Sequence, residues 1–303
     1  MCNARLPVRC MGPGDISSVA RLLMNSFGPG KYGAGITPHA TITDGLVSRW
    51  CGQSAASWVV EAPGFGPVGA MFAVIEPQVG WFGGLSVHPA YRGLGAGRAL
   101  ITVALAFLEE AGCPVVGLEV SPGHGGPLSA YARRGLQVVD VTVRLRAESM
   151  EVASAGPAVQ MDMVPLGTSH GPPHCSRVDL EGLFARVDAV PLSQEAFVVA
   201  SPGAGLVCDT GVGTSMLLLD VRLGFVQLDD DLISGVFCAL AQTALARGLH
   251  HLEVDLPVAC GRALATLYKL GFSTISSSVR MARPGGRYIQ AQHDRVEIGR
   301  WAL

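Results

Sequence analysis

LSVHPAYRGLGAGRAL, residues 85–100, is the stretch on which the fold is decided. A strand-like run closes at Val87, Pro89 breaks the ladder, and Gly93, Gly95 and Gly97 follow at every second position before an Ala- and Leu-rich helix. Glycines so spaced let successive backbone N–H groups turn inward. At a helix N-terminus such a nest stabilises a diphosphate, and Arg92 and Arg98 supply counter-charge. Gly93, Leu94, Gly95, Ala96, Gly97 and Arg98 are therefore the candidate anion-binding loop. A Walker loop would end in Gly-Lys-Ser or Gly-Lys-Thr, whereas Gly97 is followed by Arg98 and Ala99. A dinucleotide fingerprint would follow the first strand of a parallel unit, and this loop follows an apparent antiparallel series.

That series reads backwards from Val87. Gly80–Val87, Gly69–Glu76 and Ala56–Glu61 are strand candidates, with Pro77, Gly64 and Pro63 marking the turns. Short spacers favour antiparallel neighbours. Before them, Asp15 begins a helix with Val19, Leu22 and Leu23 on its apolar face, a glycine-rich loop runs from Gly28 to Pro38, and a short helix is expected at Thr43–Cys51. Forward from the loop come a helix with Leu100, Ala104, Leu108 and Ala111 at helical spacing, a strand at Val115–Val120, a helix at Leu128–Arg134 and a strand at Val138–Leu145.

From Ala147 to Ser176 the composition of Ala, Gly, Pro, Ser and Met predicts a linker, with MDMVPL from Met161 able to open a new strand. The order then repeats: a helix at Leu180–Ala189, strands at Ala196–Ala200, Gly205–Cys208 and Met216–Leu223, a helix at Leu232–Ala246, a strand from His251, a helix at Arg262–Leu270 and a closing strand at Thr274–Met281. Leu118-Glu119-Val120 is matched to Leu252-Glu253-Val254, and Gly135 to Gly271, 136 residues later. The matched order points to duplication. Two domains are expected, 1–150 and 151–303, which suits 303 residues. In the second, Phe225–Gly235 carries Asp229, Asp230 and Asp231 where the first has its nest, and three carboxylates repel a diphosphate.

Composition narrows the partners. A formal net charge of -2 gives no reason to expect a nucleic acid or an anionic membrane. No uninterrupted apolar run suits a membrane span, and residues 1–10 lack the apolar core of an export signal, so a cytoplasmic location is expected. The eight cysteines show no C-x-x-C pair and read as free thiols. His170, His174 and Cys175 are the one local cluster of metal-ligand types, read as linker, and no metal is expected.

The loop resembles the acetyl-CoA signature of the GNAT superfamily of N-acetyltransferases: Arg or Gln, two residues, Gly, one residue, Gly or Ala, here Arg92, Gly95 and Gly97. The resemblance covers residues 5–147 in element order and is sharpest from Leu85 to Leu136. It implies a mixed α/β fold of two GNAT-like domains, each a twisted sheet flanked by helices, with the first sheet splayed between its fourth and fifth strands. It implies acetyl-CoA or another short acyl-CoA as co-substrate, backbone groups of Leu85 and Val87 along the pantetheine arm, and residues 93–98 on the pyrophosphate. It also implies Tyr131, four residues before Gly135-Leu136, as the acid that protonates the departing thiolate.

An attacking ammonium must first lose a proton. Glu119, acidic among apolar strand residues, is the first candidate base, and His124, where the family often has Asn, is a second. Trp81, Phe82 and Glu76 are expected to line or support the acceptor side. Tyr268 stands three residues before Gly271, so the second half lacks an acid in register. The expected activity is acyl transfer to a primary amine of a small or medium-sized acceptor. Other acyl-CoA chemistry, such as hydrolysis or decarboxylation, and a non-catalytic CoA-responsive binding role remain open alternatives at this point.

Overall fold

The computed structural model describes residues 6–27, 42–75, 80–122, 125–160, 162–165, 197–201, 204–212, 215–223, 230–283 and 296–298, with the backbone alone considered from 162 to 223 and at 296–298. The first half runs β1 (Val8–Cys10), α1 (Ile16–Phe27), α2 (Asp44–Gln53), β2 (Ala56–Ala62), β3 (Gly66–Ile75), β4 (Gly80–Val87), α3 (Ala96–Glu110), β5 (Val116–Val120), α4 (Gly125–Ala132) and β6 (Gln137–Glu148). The second runs α5 (Ser149–Ser154), β7 (Asp162–Pro165), β8 (Phe197–Ser201), β9 (Ala204–Val212), β10 (Ser215–Leu223), α6 (Asp230–Ala246), β11 (His251–Pro257), α7 (Gly261–Lys269), β12 (Ser273–Arg283) and β13 (Val296–Ile298). The expected helix at Leu180–Ala189 lies outside the described residues.

The first residues of the expected linker belong to regular elements. β6 continues to Glu148 and α5 follows at once, with Val152 fully buried in the second core. Met, Glu and Ala in SMEVAS favour a helix, and burial of Val152 fixes it there.

α3 forms because Leu100, Ile101, Ala104, Leu105 and Leu108 fall on one face, and all are buried. They pack on Met71, Ala73, Phe82 and Leu118 of the sheet. Each leucine, isoleucine, methionine or phenylalanine among them, taken from water, contributes roughly 1.5–3 kcal/mol. On the opposite face of β2 and β3, Val19, Leu22 and Leu23 of α1 and Trp50 of α2 cover Val59, Ala70 and Phe72. The strand period of two makes both faces apolar here, so β3 reads as a continuous hydrophobic run.

Both halves share one sheet, ordered β1-β2-β3-β4-β5-β12-β6-β11-β10-β9-β8-β7, with β13 against β10. The closing strands are exchanged. β12 of the second half lies antiparallel between β5 and β6 of the first, and β6 lies antiparallel between β12 and β11. Met281 of β12 thereby completes the first core, while Val143, Leu145 and Ala147 of β6 complete the second.

The register has the form of a two-fold axis. Glu119 faces Arg280, and Asp255 faces Arg144; Glu119 and Asp255 are 136 residues apart, as are Arg144 and Arg280. Thr142 faces Ser278, its own counterpart at the same separation, which puts the axis between them. This corrects the sequence match of Glu119 to Glu253. The structural counterpart of Glu119 is Asp255, because strand register and not the shared Leu-Glu-Val triplet fixes the equivalence.

Candidate active site between parted strands

β4 and β5 run parallel and touch at only two positions, Gly80↔Val116 and Trp81↔Gly117. Beyond Trp81 they diverge, leaving the edge of Phe82–Val87 that faces β5 without a partner strand among the described residues. β3 covers the other edge. Along it the register slips once: Ala70 faces Ser86 and Phe72 faces Gly83, so β4 carries one extra residue there. Gly84, with φ of 64°, sits in this bulge, where an L side chain would be strained. The bulge turns the backbone near Leu85 relative to a regular strand, beside the gap.

At the mouth of the gap the loop has the expected shape. Gly93 and Gly95 have φ of 77° and 92°, and Gly95 is the N-cap of α3. Among the described residues, the N–H groups of residues 93–98 have no backbone acceptor, whereas the N–H of Ala99 already donates to Gly95 at 2.9 Å. Six donors at a helix start are thus left for a ligand or water. Gly97 lies inside the first helical turn without positive φ. Arg92 is partly committed: its Nε donates to the Val87 carbonyl at 3.1 Å and ties the loop to the strand end.

Positive charge gathers behind this loop. Arg134 is held below the usual guanidinium range by burial first and by the neighbouring Arg98 and Arg133 second. Its NH1 donates to the Ala130 carbonyl at 2.6 Å. The sequence reading missed Arg133 and Arg134, although their position at the end of α4 could have suggested a second cationic wall.

Tyr131 is 6% exposed and packs edge-on to Phe82, with ring centroids 6.0 Å apart. Burial pushes its phenol well above the ordinary value, so it carries its proton at neutral and alkaline pH. Ser86 is another polar group the sequence reading passed over. It is buried between Leu85 and Val87, meets the Ser26 hydroxyl, and donates to the Leu22 carbonyl at 3.1 Å, so it pins β4 to α1 beside the bulge. A hydroxyl at an alternating position of an otherwise apolar strand was the available signal.

One expectation changes. Glu119 is not a free base. Its side chain is 1% exposed and that of Arg280 is 0% exposed; Arg280 donates from Nε and NH2 to Oε1 at 3.0 and 2.8 Å. Thr142 donates to Oε1 at 2.8 Å and Ser278 to Oε2 at 2.6 Å. A carboxylate so engaged ties the exchanged strands together, as Asp255 does with Arg144 at 2.7 Å on the other side of the axis. Trp81 and Phe82, expected to line or support the acceptor side, are 3% and 1% exposed, so support is the role left to them. They fall on opposite faces of β4, Phe82 in the first core and Trp81 beside Val74, Val115 and Ala282. Glu76 and His124 lie outside the described residues, as do Gly28–Pro38, Asp229 and the His170, His174, Cys175 cluster.

Residues 31–136 match the family model described as the acetyltransferase (GNAT) family. This stretch, about a third of the chain, is similar to GNAT acetyltransferases. The matched span ends one residue past Gly135 and contains the parted strands, the loop and Tyr131. Similar solved structures extend over nearly the whole chain. A putative acetyltransferase from Pyrococcus horikoshii aligns with a TM-score of 0.65 and 15% identity over 92% of this chain and 89% of that one. A tandem GNAT protein from the clavulanic acid biosynthesis pathway aligns at 0.62 and 16% over 91% and 97%. A GCN5-related N-acetyltransferase from Sphaerobacter thermophilus aligns at 0.58 and 13% over 92% and 96%. These likenesses establish a shared fold. A search of curated proteins gave no match. No described helix is long and apolar enough to cross a membrane.

Proposed function

We propose that the acetyltransferase domain transfers an acetyl or short acyl group from acyl-CoA to the primary amine of a small or medium-sized acceptor. The observation that carries this is the open edge of β4 leading to six unpaired N–H groups at residues 93–98. An acyl-CoA has an amide-bearing arm for the first and a diphosphate for the second. Leu85 and Val87 present backbone to the arm, Arg92 and Arg98 add charge at the diphosphate, and the bulge at Gly84 orients the backbone near the thioester.

In this reading Tyr131 is the general acid. As the amine nitrogen bonds to the acyl carbon, the C–S bond breaks and the thiolate takes the phenolic proton. The raised phenol keeps that proton available until then. Glu119 is held by Arg280, so the ammonium proton passes to water or to His124 and not to that carboxylate.

The chain is read as a tandem arrangement divided near residue 150, with the acyl-CoA site in the first half alone. Asp230 and Asp231 start α6, the helix corresponding to α3, and Asp230 also lies 3.6 Å from Lys269 and 3.8 Å from Arg262. Acidic side chains thus stand at the helix end where a diphosphate would need free donors. The net charge of -2 favours neither nucleic acid nor an anionic membrane as partner.

The test is the full chain with acetyl-CoA and a panel of small amines, polyamines, aminoglycosides and lysine-rich peptides, reading free thiol and acceptor mass together. Equal release of thiol and acetylated small amine is expected. Thiol without a modified acceptor indicates hydrolysis, and no thiol with any acceptor removes the catalytic reading.

A further inference from the structure

The gap between β4 and β5 has a counterpart 136 residues later. β10 and β11 run parallel and are paired from Ser215↔His251 to Leu218↔Val254. β10 then continues to Leu223 with its other edge on β9. Residues 221–223 stand where 85–87 stand in the first half, 136 positions earlier. At this point the halves differ. The C-terminal strand β13 lies antiparallel to β10, with Val221↔Ile298, Arg222↔Glu297 and Leu223↔Val296 in register.

The edge of residues 221–223 toward β9 is taken by Leu206, Gly205 and Ala204. A strand has two hydrogen-bonding edges, so β13 sits on the edge that β11 has left. β13 also lies against β11, which places it inside the wedge between the two strands. In the first half no described strand fills the equivalent wedge.

We propose that the second gap is a strand-binding site whose occupant is the chain's own C-terminal segment, seated where the first gap takes the amide-bearing arm of acyl-CoA. The comparison with the arm rests on the proposed function. The seat of β13 rests on the register alone. A peptide strand and such an arm satisfy an open sheet edge by the same chemistry, alternating N–H donors and C=O acceptors along an extended backbone. The consequence is one acyl-CoA per chain. The second half is closed to it by an occupied backbone edge, in addition to the acidic start of α6.

Hydrogen exchange on the full chain tests this. Without ligand, amides in 221–223 and 296–298 are expected to be protected together. Two adjacent prolines, Val296→Pro with Glu297→Pro, remove a donor in either hydrogen-bonding phase and should speed exchange at 221–223 by at least about tenfold. Alanines at the same two positions keep the backbone donors and should leave protection in place. Unprotected 221–223 in the native chain, or protection unchanged in the proline variant, overturns the proposal.

A second measurement does not depend on the proline variant folding. Arg222→Cys with Glu297→Cys puts thiols on register partners, and mild oxidation should give a 222–297 disulfide in the digest; its absence overturns the proposal. Acetyl-CoA should slow exchange at 93–98 and leave 221–223 unchanged. Added protection at 221–223 overturns the proposal, whereas no protection at 93–98 overturns the proposed function and leaves the seat of β13 standing.

Discussion

Replacing Arg280 with methionine should unfold the chain far more readily than its charge count suggests. The guanidinium is fully buried and makes two hydrogen bonds to Oε1 of Glu119, at 3.0 and 2.8 Å, in the middle of the exchanged strands. An exposed pair of this kind would contribute about 0–1 kcal/mol. Here removal strips the Glu119 carboxylate, 1% exposed, of both guanidinium hydrogen bonds, while the hydroxyls of Thr142 and Ser278 and the charge of Arg144 remain. Breaking a buried pair by removing one partner costs about 3–5 kcal/mol. At roughly 2–4 °C per kcal/mol for a chain of this size class, Tm should fall on the order of 10 °C. Glu119→Leu added to Arg280→Met removes both charges and should return the chain to within about 1–2 kcal/mol of native. Denaturant titration of the native chain, both single variants and the double variant reads these values. A loss below about 1 kcal/mol in Arg280→Met, or a double variant no better than the single, would refute the assignment of Glu119 to the strand junction. Glu119→Gln supplies the kinetic check: its pH–rate profile should keep the native shape, and a shifted acidic limb would identify Glu119 as the base.

Tyr131→Phe removes the proton donor while keeping the ring against Phe82, so turnover should fall roughly 10- to 1000-fold with acetyl-CoA affinity nearly unchanged in calorimetry. An unchanged rate assigns Tyr131 to packing alone. In the native protein, the rate should rise with pH as the acceptor amine deprotonates and show no descending limb up to about pH 10, because burial raises the phenol above its ordinary value. A stability check has the opposite sign: the unfolded chain ionises this phenol first, so stability attributable to it is lost as pH climbs above about 10. Ser86→Val removes the bond to the Leu22 carbonyl and frees the bulged end of β4, so KM for acetyl-CoA should rise several-fold and Ser86→Thr should restore much of it. Equal kinetics in native and Ser86→Val protein would make that bond incidental to the site.

The first half was legible because its signals are local. Val87, Pro89, Gly93 and Gly95 fix a strand, a break and a nest within ten residues, and the apolar stripe of α3 fixes the next helix. The gap beyond Trp81 followed from the resemblance carried by Arg92, Gly95 and Gly97. The exchange of β6 and β12 could not be read that way. Each strand has the same alternation whether it pairs within its own half or across to the other, and only the register of Glu119 with Arg280 and Asp255 with Arg144 shows which pairing is made. That same exchange turned Glu119 from a candidate base into a buried ion-pair partner. Strand alternation puts Trp81 and Phe82 on opposite faces but does not say that both are buried, which leaves them supporting the acceptor side and not lining it. β13 has three residues and no pattern of its own, so its place beside β10 is a property of the assembled sheet.

The most direct measurement is a calorimetric titration of the full chain with acetyl-CoA, native and Gly95→Val. Gly95 has φ of 92° at the N-cap of α3, and no atom lies within 4 Å of where its Cβ would be. The valine is therefore penalised by backbone strain and by intrusion on the donors of residues 93–98, and not by a clash with the core. The expected result is one molecule bound per native chain and at least about tenfold weaker binding in a Gly95→Val chain whose circular dichroism is unchanged. Two molecules bound per native chain, no binding at all, or equal affinity in the folded variant would contradict an acyl-CoA site built on this loop and the parted strands behind it.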